Sequence, residues 1–286
     1  GRIHAHINQI RSDSGGTVTG RFSYNHPNLQ QIPSRGQFAQ DIRKIFIPET
    51  GEYWLKADYS QQEPRLLTHF ARLVDQPGSG EVQKAYREKD LDFHQQTADM
   101  AGVQRSLAKT IGLGVMYGMG YHKLARELDM EPQEAKKMLQ DFHGKVPFMK
   151  GMLEAVMNRA NSKGVIRTLL GRKCRFDLWE PTQWGVHKAL PLNQAQTEHG
   201  FAIKRAYTYK ALNRLIQGSA ADQTKKAMVD VYEEMGMIPL IQVHDELDCS
   251  VKDEKEGKQI KEIMENCVEL EVPSKVDTEI SESWGG

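Results

Sequence analysis

The stretch RSLAKTIGLGVMYGMG, Arg105 to Gly120, sets four glycines close together just beyond a basic patch. Read as a loop, it would cradle phosphates with backbone amides. Read as a helix, it would reach them with side chains. A nucleotide-binding P-loop needs Gly directly before Lys-Ser/Thr, and Ala108 stands there instead, ahead of Lys109 and Thr110. A dinucleotide fingerprint needs G-x-G-x-x-G after a strand, whereas Gly112, Gly114 and Gly118 give G-x-G-x-x-x-G with no β-rich run before them. On a helix, Arg105, Lys109, Leu113 and Tyr117 recur at four-residue intervals. Each step advances about 400°, so the row drifts by only about 40° per step and stays on one face. That face carries guanidinium, ammonium, an apolar side chain and a phenol, an order that fits the phosphates, sugar and base of a nucleotide. Glycines in a helix interior cost about 1 kcal/mol each against alanine. Close approach of a base pair or a bend at the helix end would offset that cost. A basic amphipathic helix on the surface is the plainer alternative.

At 286 residues the chain has room for one large domain or two smaller ones. Lys and Arg total 38 and so do Asp and Glu, so net charge argues neither for nor against nucleic acid, and any electrostatic footprint must be local. Cys174, Cys249 and Cys267 are widely spaced with no C-x-x-C pair, which points to a reducing compartment and away from a zinc knuckle. His4 and His6 read as residues of a solvated strand rather than a metal pair. No apolar run approaches the roughly 20 residues that span a bilayer. The N-terminal GRIHAHINQ lacks the apolar core of a signal peptide, and a cytoplasmic setting is expected. The missing initiator Met reads as a fragment or a processed chain.

Short strands and turns are expected over residues 1–65, with β-rich runs at Lys44–Ile47 and Tyr53–Ala57. Ser60 with Glu63 fits a capping box opening a helix, with Pro64 in its first turn. The middle is mostly helical. One run ends at Gly144, and Met149, Met152, Leu153, Val156, Met157 and Ala160 form a core stripe. VIRTLLGRKCRF reads as a hairpin around Gly171. Later come a helix capped at Ser219 and stopped at Gly236, a hairpin PLIQVHDELDCSV with a two-residue tip, an amphipathic helix through Ile260 and Met264, and a final strand KVDTEIS. The expected class is α+β: an antiparallel sheet built from both chain ends around a helical insertion.

Asp58 follows one β-rich run, and Asp245 sits at the hairpin tip. Strand ends are where a scaffold presents chemistry. Two converging carboxylates would hold two Mg²⁺ ions about 3.5–4 Å apart, with substrate phosphate completing their shells. A pair of ordinary turn aspartates is the bland reading.

Together these segments resemble the family A DNA polymerases. Asp58-Tyr-Ser-Gln-Gln-Glu-Pro-Arg65 is similar to that family's first catalytic motif, Arg105 to Gly118 to its second, and Gln242-Val-His-Asp-Glu246 to its third. TGRFSYNHPNLQQIP (19–33) resembles its primer-template segment, and LNRLIQGSAAD (212–222) its minor-groove helix. The resemblance implies a right-hand polymerase fold with palm over 1–65 and 191–286 and fingers over 66–190. It implies that thumb and exonuclease domains are absent from this chain, or supplied by a separate or removed segment.

By the same resemblance, Asp58 and Asp245 bind Mg²⁺ (with Mn²⁺ able to substitute), assisted by the Tyr59 carbonyl. Lys109 acts as catalytic cation and proton donor to pyrophosphate. His94, Arg105, Lys109, Leu113, Tyr117, Gln61 and Glu63 bind the dNTP, with Glu63 excluding ribonucleotides. Arg21, Asn28, Gln30, Gln217 and His244 line the minor groove of the primer-template DNA, where acceptors are nearly uniform for every correct pair. Leu113 stands where the family usually has Phe or Tyr, and Gln62 and Pro64 replace apolar residues around Glu63, which suits a phage-like branch. A single-subunit RNA polymerase relative and a non-catalytic DNA-binding fragment are the competing readings. Glu63 speaks against the first, and the intact Asp58, Asp245 and Lys109 against the second.

Overall fold

The computed structural model describes residues 1–11, 15–89, 91–183, 185–186 and 188–286. The chain divides into two compact units, one of Gly1–Leu66 with Gln217–Gly286 and one of Leu67–Ile216. The fold is α+β, as the sequence predicts.

The first unit rests on a four-stranded antiparallel sheet in the order Val276–Ser281, Tyr53–Tyr59, Glu246–Val251, Ile241–Val243. Alternation along YWLKADY sends Leu55, Ala57 and Tyr59 to one face and Trp54, Lys56 and Asp58 to the other. The first set packs with Leu247, Cys249 and Val251 against Ala227 and Val231 of the Ala211–Met235 helix and Ile260, Ile263 and Met264 of the Glu254–Asn266 helix. Each such aliphatic side chain, when fully buried, contributes about 1.5–3 kcal/mol. On the opposite face Trp54 and Ile241 pack with Tyr24, Leu29 and Trp284. The two indoles stack with centroids 6.0 Å apart. Two cores sandwich one sheet, which holds its strand ends in fixed register.

The second unit is mainly helical and includes Phe93–Ala101, Arg105–Met116, Pro132–Lys145 and Pro147–Lys163. Met149, Met152, Val156 and Ala160 are buried, whereas Leu153 and Met157 of the expected stripe are half-buried at its margin. The predicted hairpin is present as Val165–Arg167 paired with Lys173–Arg175, and Gly171 has φ 83° at its turn. A three-stranded antiparallel sheet, order Leu190–Pro191, Leu178–Pro181, Ile203–Arg205, follows.

The opening segment is a helix, Arg105–Met116, with Tyr117 as its C-cap. Gly118 takes the left-handed turn beyond it at φ 74°. A Cβ on Gly114 would lie 1.9 Å from the Met119 Cε, so this glycine lets the chain fold back on the helix end. Of the two offsets expected for the glycines, packing at the helix end is the one visible here.

Four local expectations fail. Lys44–Ile47 is no strand: Ala39–Arg43 is a short helix, and Phe46 packs edge-on against Trp284. The helix after Asp58 starts at Gln62, so Ser60 is not its cap; the Glu63 carboxylate takes the Arg21 guanidinium. Gly144 lies inside the Pro132–Lys145 helix, where the last turn tolerates it. Ser219 lies buried inside the Ala211–Met235 helix, which starts nine residues earlier than that cap would place it. Gly236 does end that helix, at φ 66°. Among the described residues no helix is long and apolar enough to cross a membrane.

Candidate active site

In the first unit, Asp58 sits near the end of its strand, directly opposite Glu246 on one side and Asp277 on the other. Three carboxylates therefore stand abreast on one sheet face. Val243 pairs with Glu246, leaving His244 and Asp245 as the two-residue tip. His244 has φ 58°, the sign that type II′ hairpin turns require at their first central residue and that glycine usually supplies. The Tyr59 amide donates to the Asp245 carbonyl at 3.3 Å, which ties the tip to the Asp58 strand. Gln61, just past that strand, is also left-handed at φ 53°. Two non-glycine residues thus hold positive φ beside the two aspartates. Such conformations cost about 1–3 kcal/mol each and cluster at functional sites.

The charges are crowded. Asp58 reaches solvent, yet desolvation at the strand end pushes its carboxyl up to about 7, helped by the negative charges of Asp245, Glu246 and Asp277. Asp245 is also raised, first by burial, with Glu63 adding and its own backbone amide, Arg21 and His244 opposing. Arg21 joins Glu63 at 2.7 Å, both side chains largely shielded from water. Arg21, Gln30 and His244 line one recess together with Phe22, Ala221 and Gln242. Gln30 donates to the Gln242 side-chain oxygen at 3.4 Å, and Gln242 donates to the His244 carbonyl at 2.5 Å. Gln217 lies one helical turn before Ala221. Asn28 has a structural task, since its side chain accepts from the Gln30 amide at 3.1 Å and caps the short 3₁₀ turn Leu29–Gln31.

In the second unit, Arg105, Lys109 and Tyr117 are exposed and Leu113 half-buried, while Ala108, Ile111, Gly112, Val115 and Met116 are buried. The four-residue ladder is therefore the solvent face. Arg105 is not idle: its Nε donates to Asp92 Oδ2 at 2.7 Å. Asp92 also caps the Phe93–Ala101 helix through the His94 and Gln95 amides. Partial burial raises Asp92, but the Arg105 hydrogen bond and charge and these amides outweigh it and hold the carboxyl low. His94 is lowered, first by burial and then by Lys109 and Arg105, with Asp92 opposing. Its Nδ1 is buried with no partner. His94, Arg105 and Lys109 thus form one electrostatic group.

Sequence reasoning missed the polar residues behind Asp58. Asp248 is fully buried; its Oδ1 accepts from Trp54 Nε1 at 2.8 Å, while its Oδ2 has no partner. Burial first, then the Glu246 charge, push its carboxyl up to about 9. Trp284 Nε1 donates to Glu246 Oε1 at 3.3 Å, and the Arg43 guanidinium lies 4.1 Å over the Trp284 ring. The signal was present in ELDCSV, whose alternation puts Glu246 and Asp248 on one face. Gln62 is buried too and donates to Gln223 and Thr224 at 3.2 Å each.

All 286 residues match the model of DNA polymerase family A. The chain belongs to that family. It is 40% identical over 334 aligned positions to the DNA-directed DNA polymerase of Pseudomonas phage M6, covering all of this chain and 47% of that protein. It is 34% identical over 299 positions to the thermostable DNA polymerase I of Thermus aquaticus, covering 99% of this chain and 32% of that one. A solved structure, the POL domain of Pol1 from M. smegmatis in complex with DNA primer-template and dNTP, aligns with a TM-score of 0.79 at 30% identity, over 99% of this chain and 48% of that one. The chain spans about half the length of the phage polymerase and about a third of the Thermus enzyme. Family A polymerases generally use divalent metal ions.

Proposed function

We infer that this chain carries out template-directed addition of dNTPs to a primer 3′-hydroxyl, with release of pyrophosphate. The observation that carries the reading is the pair Asp58 and Asp245, held at a strand end and a hairpin tip inside a cluster of mutually repelling carboxylates. Membership of DNA polymerase family A supports it, as does likeness to a Pol1 domain solved with primer-template and dNTP. In this reading the first unit is the palm and the second carries the fingers.

The donor set fits divalent cations. Asp58 and Asp245 offer hard oxygens, the Tyr59 carbonyl is adjacent, and the crowding that raises Asp58 is what a cation relieves. Magnesium is commonly held by one or two carboxylates, with substrate phosphate completing its shell. When bound, Mg²⁺ supplies charge stabilisation of the attacking and leaving oxygens.

The remaining roles fall to this chain's side chains. Lys109 and Arg105 hold the triphosphate, and Lys109 gives a proton to the departing pyrophosphate oxygen. His94, neutral near pH 7 because of its lowered pKa, donates one hydrogen bond to a phosphate oxygen rather than adding a full charge. Leu113 and Tyr117 give apolar and flat surface to sugar and base, with Gln61 at the nucleotide. Glu63, oriented by Arg21, crowds the sugar 2′ position. Arg21, Gln30, Gln217 and His244 contact the minor groove, and Asn28 shapes the turn that presents Gln30.

Primer extension by this chain with Mg²⁺, offering dNTPs or rNTPs, tests the reading. Extension with dNTPs alone, abolished in Asp245→Ala, is expected. Duplex binding without any extension would overturn it.

A further inference from the structure

The second unit carries a concentration of positive charge that its candidate nucleotide-binding residues do not use. Residues 163–177 hold Lys163, Arg167, Arg172, Lys173 and Arg175 against one acid, Asp177, in a chain of zero net charge. The hairpin register sets Arg167 directly opposite Lys173 and Val165 opposite Arg175. Ile166 and Cys174 are buried on one face, while Arg167, Lys173 and Arg175 are exposed on the other. Like charges directly opposed destabilise a strand pair by roughly 0.2–1 kcal/mol. Arg167 Nη1 also donates to the Gly171 carbonyl at 3.0 Å, which holds its guanidinium over the turn but offers Lys173 no counter-charge, whereas the first unit's sheet pairs Lys56 with Glu279.

These cations ring a hollow of about 360 Å³, on which Lys163 and Arg205 also lie and Asp177 is the sole carboxylate among the described residues. Arg205 is fixed in place. Its Nη1 donates to the Phe176 carbonyl at 2.9 Å, its Nε to the Asn161 carbonyl at 3.1 Å, and its guanidinium lies 4.5 Å over the Trp179 ring. The same segment continues into exposed aromatics. Tyr207 and Tyr209 are 36% and 48% exposed, and the Lys210 ammonium stands 5.2 and 5.5 Å from their rings. Tyr207 holds a left-handed φ of 61°, which is unusual for an aromatic residue. Cations that follow a backbone, with aromatic faces that stack bases, are the composition of single-strand binding surfaces.

We propose that the cationic face of the Val165–Arg167/Lys173–Arg175 hairpin, with Lys163 and Arg205, binds the phosphate backbone of single-stranded template. The charge of the face is complementary to phosphate, and the neighbouring aromatics select unpaired over paired bases. Naming the strand as template rests on the polymerase reading; the binding itself does not.

The test is fluorescence anisotropy of a labelled oligothymidylate about 16 nucleotides long, titrated with the 286-residue chain over a salt series. Arg167→Gln/Lys173→Gln is compared with Lys84→Gln/Lys123→Gln, which removes two exposed cations elsewhere in the same unit. The hairpin double variant should bind about 5- to 20-fold more weakly at low salt, with the slope of log K against log salt reduced by about 1.4, two contacts at about 0.7 each. Its melting temperature should stay within a few degrees of the parent's, because relief of the opposed charges offsets the lost hydrogen bond from Arg167 to the Gly171 carbonyl. The control pair should bind as the parent does.

Unchanged affinity and slope in the hairpin variant overturn the proposal. So does an equal loss on a blunt duplex of the same length. Primer extension separates the two readings. A chain that extends primers while its oligonucleotide affinity ignores the hairpin change refutes this inference alone. One that extends nothing yet loses affinity on the hairpin change refutes the activity and upholds the binding face.

Discussion

Replacing Asp248 with Asn should stabilise the protein, increasingly so as pH rises. Asp248 is fully buried, with Oδ1 taking the Trp54 indole proton and Oδ2 unpartnered beside the Glu246 charge. A protonated carboxyl satisfies that geometry: one oxygen accepts and the other donates toward Glu246. An asparagine does the same without an ionisation to suppress. The folded state holds this proton up to about pH 9, whereas the ordinary value is 3.8. Below 3.8 both states are protonated and nothing is lost. As pH rises the unfolded chain releases the proton and the folded one does not, so stability falls until pH passes the folded value. At about 1.4 kcal/mol per unit, the span from pH 5 to 8 gives about 4 kcal/mol as an upper bound. Relaxation around the ionised carboxylate would lower that bound, so about 2–4 kcal/mol is expected. Urea denaturation of parent and Asp248→Asn at pH 5 and pH 8 measures it. The gap between them should widen in favour of the variant by that amount. A variant less stable than the parent at pH 8, or a gap of the same size at both pH values, would refute the reasoning.

Three further outcomes follow from the geometry. Glu63→Gln keeps a hydrogen bond to Arg21 but removes the charge, so stability should fall by about 1–3 kcal/mol, while rNTP incorporation relative to dNTP rises in primer extension. Gly114→Ala sets a methyl into the Met119 side chain, whose flexible end must swing aside, while alanine gains about 1 kcal/mol in a helix interior, so the melting temperature should shift by no more than a few degrees. Burial and the Lys109 charge hold the His94 pKa low, so native stability is lost as pH falls below 6.5, where the unfolded chain takes up a proton that the folded site resists; His94→Gln should flatten the stability profile on the acid side of pH 6.5, read by urea denaturation across that range.

The elements that could be read from sequence are those whose period is strong and whose causes are local. The Arg105–Met116 helix, the His244–Asp245 tip, the Gly171 hairpin and the Val276–Ser281 strand all follow from spacing within a dozen residues or so. What escaped depends on distant partners. Glu63 gave up the expected capping box to Arg21, 42 residues away. Trp54 and Asp248 meet across 194 residues, and no local pattern marks a buried aspartate for an indole. At the candidate site the positions of Asp58 and Asp245 were legible from strand ends. The row Asp277–Asp58–Glu246 was not, because only sheet register creates it.

That register also sets a timetable for synthesis. The Tyr53–Tyr59 strand lies between Glu246–Val251 and Val276–Ser281 in the finished sheet. Its first neighbour begins 246 − 59 = 187 residues after it ends. At 5–20 residues per second, a growing chain holds this strand unpaired on both edges for roughly 10–40 s. The whole Leu67–Ile216 unit is made within that interval and contains all its own strand partners. The inserted unit can therefore close while the sheet that bears Asp58 still waits. An unpaired strand invites association with other chains, and internal charge is one protection against it. Lys56 and Asp58, the charged residues of an otherwise apolar YWLKADY, occupy the positions where such protection acts. The aspartate proposed to serve the active site would also keep the nascent chain soluble.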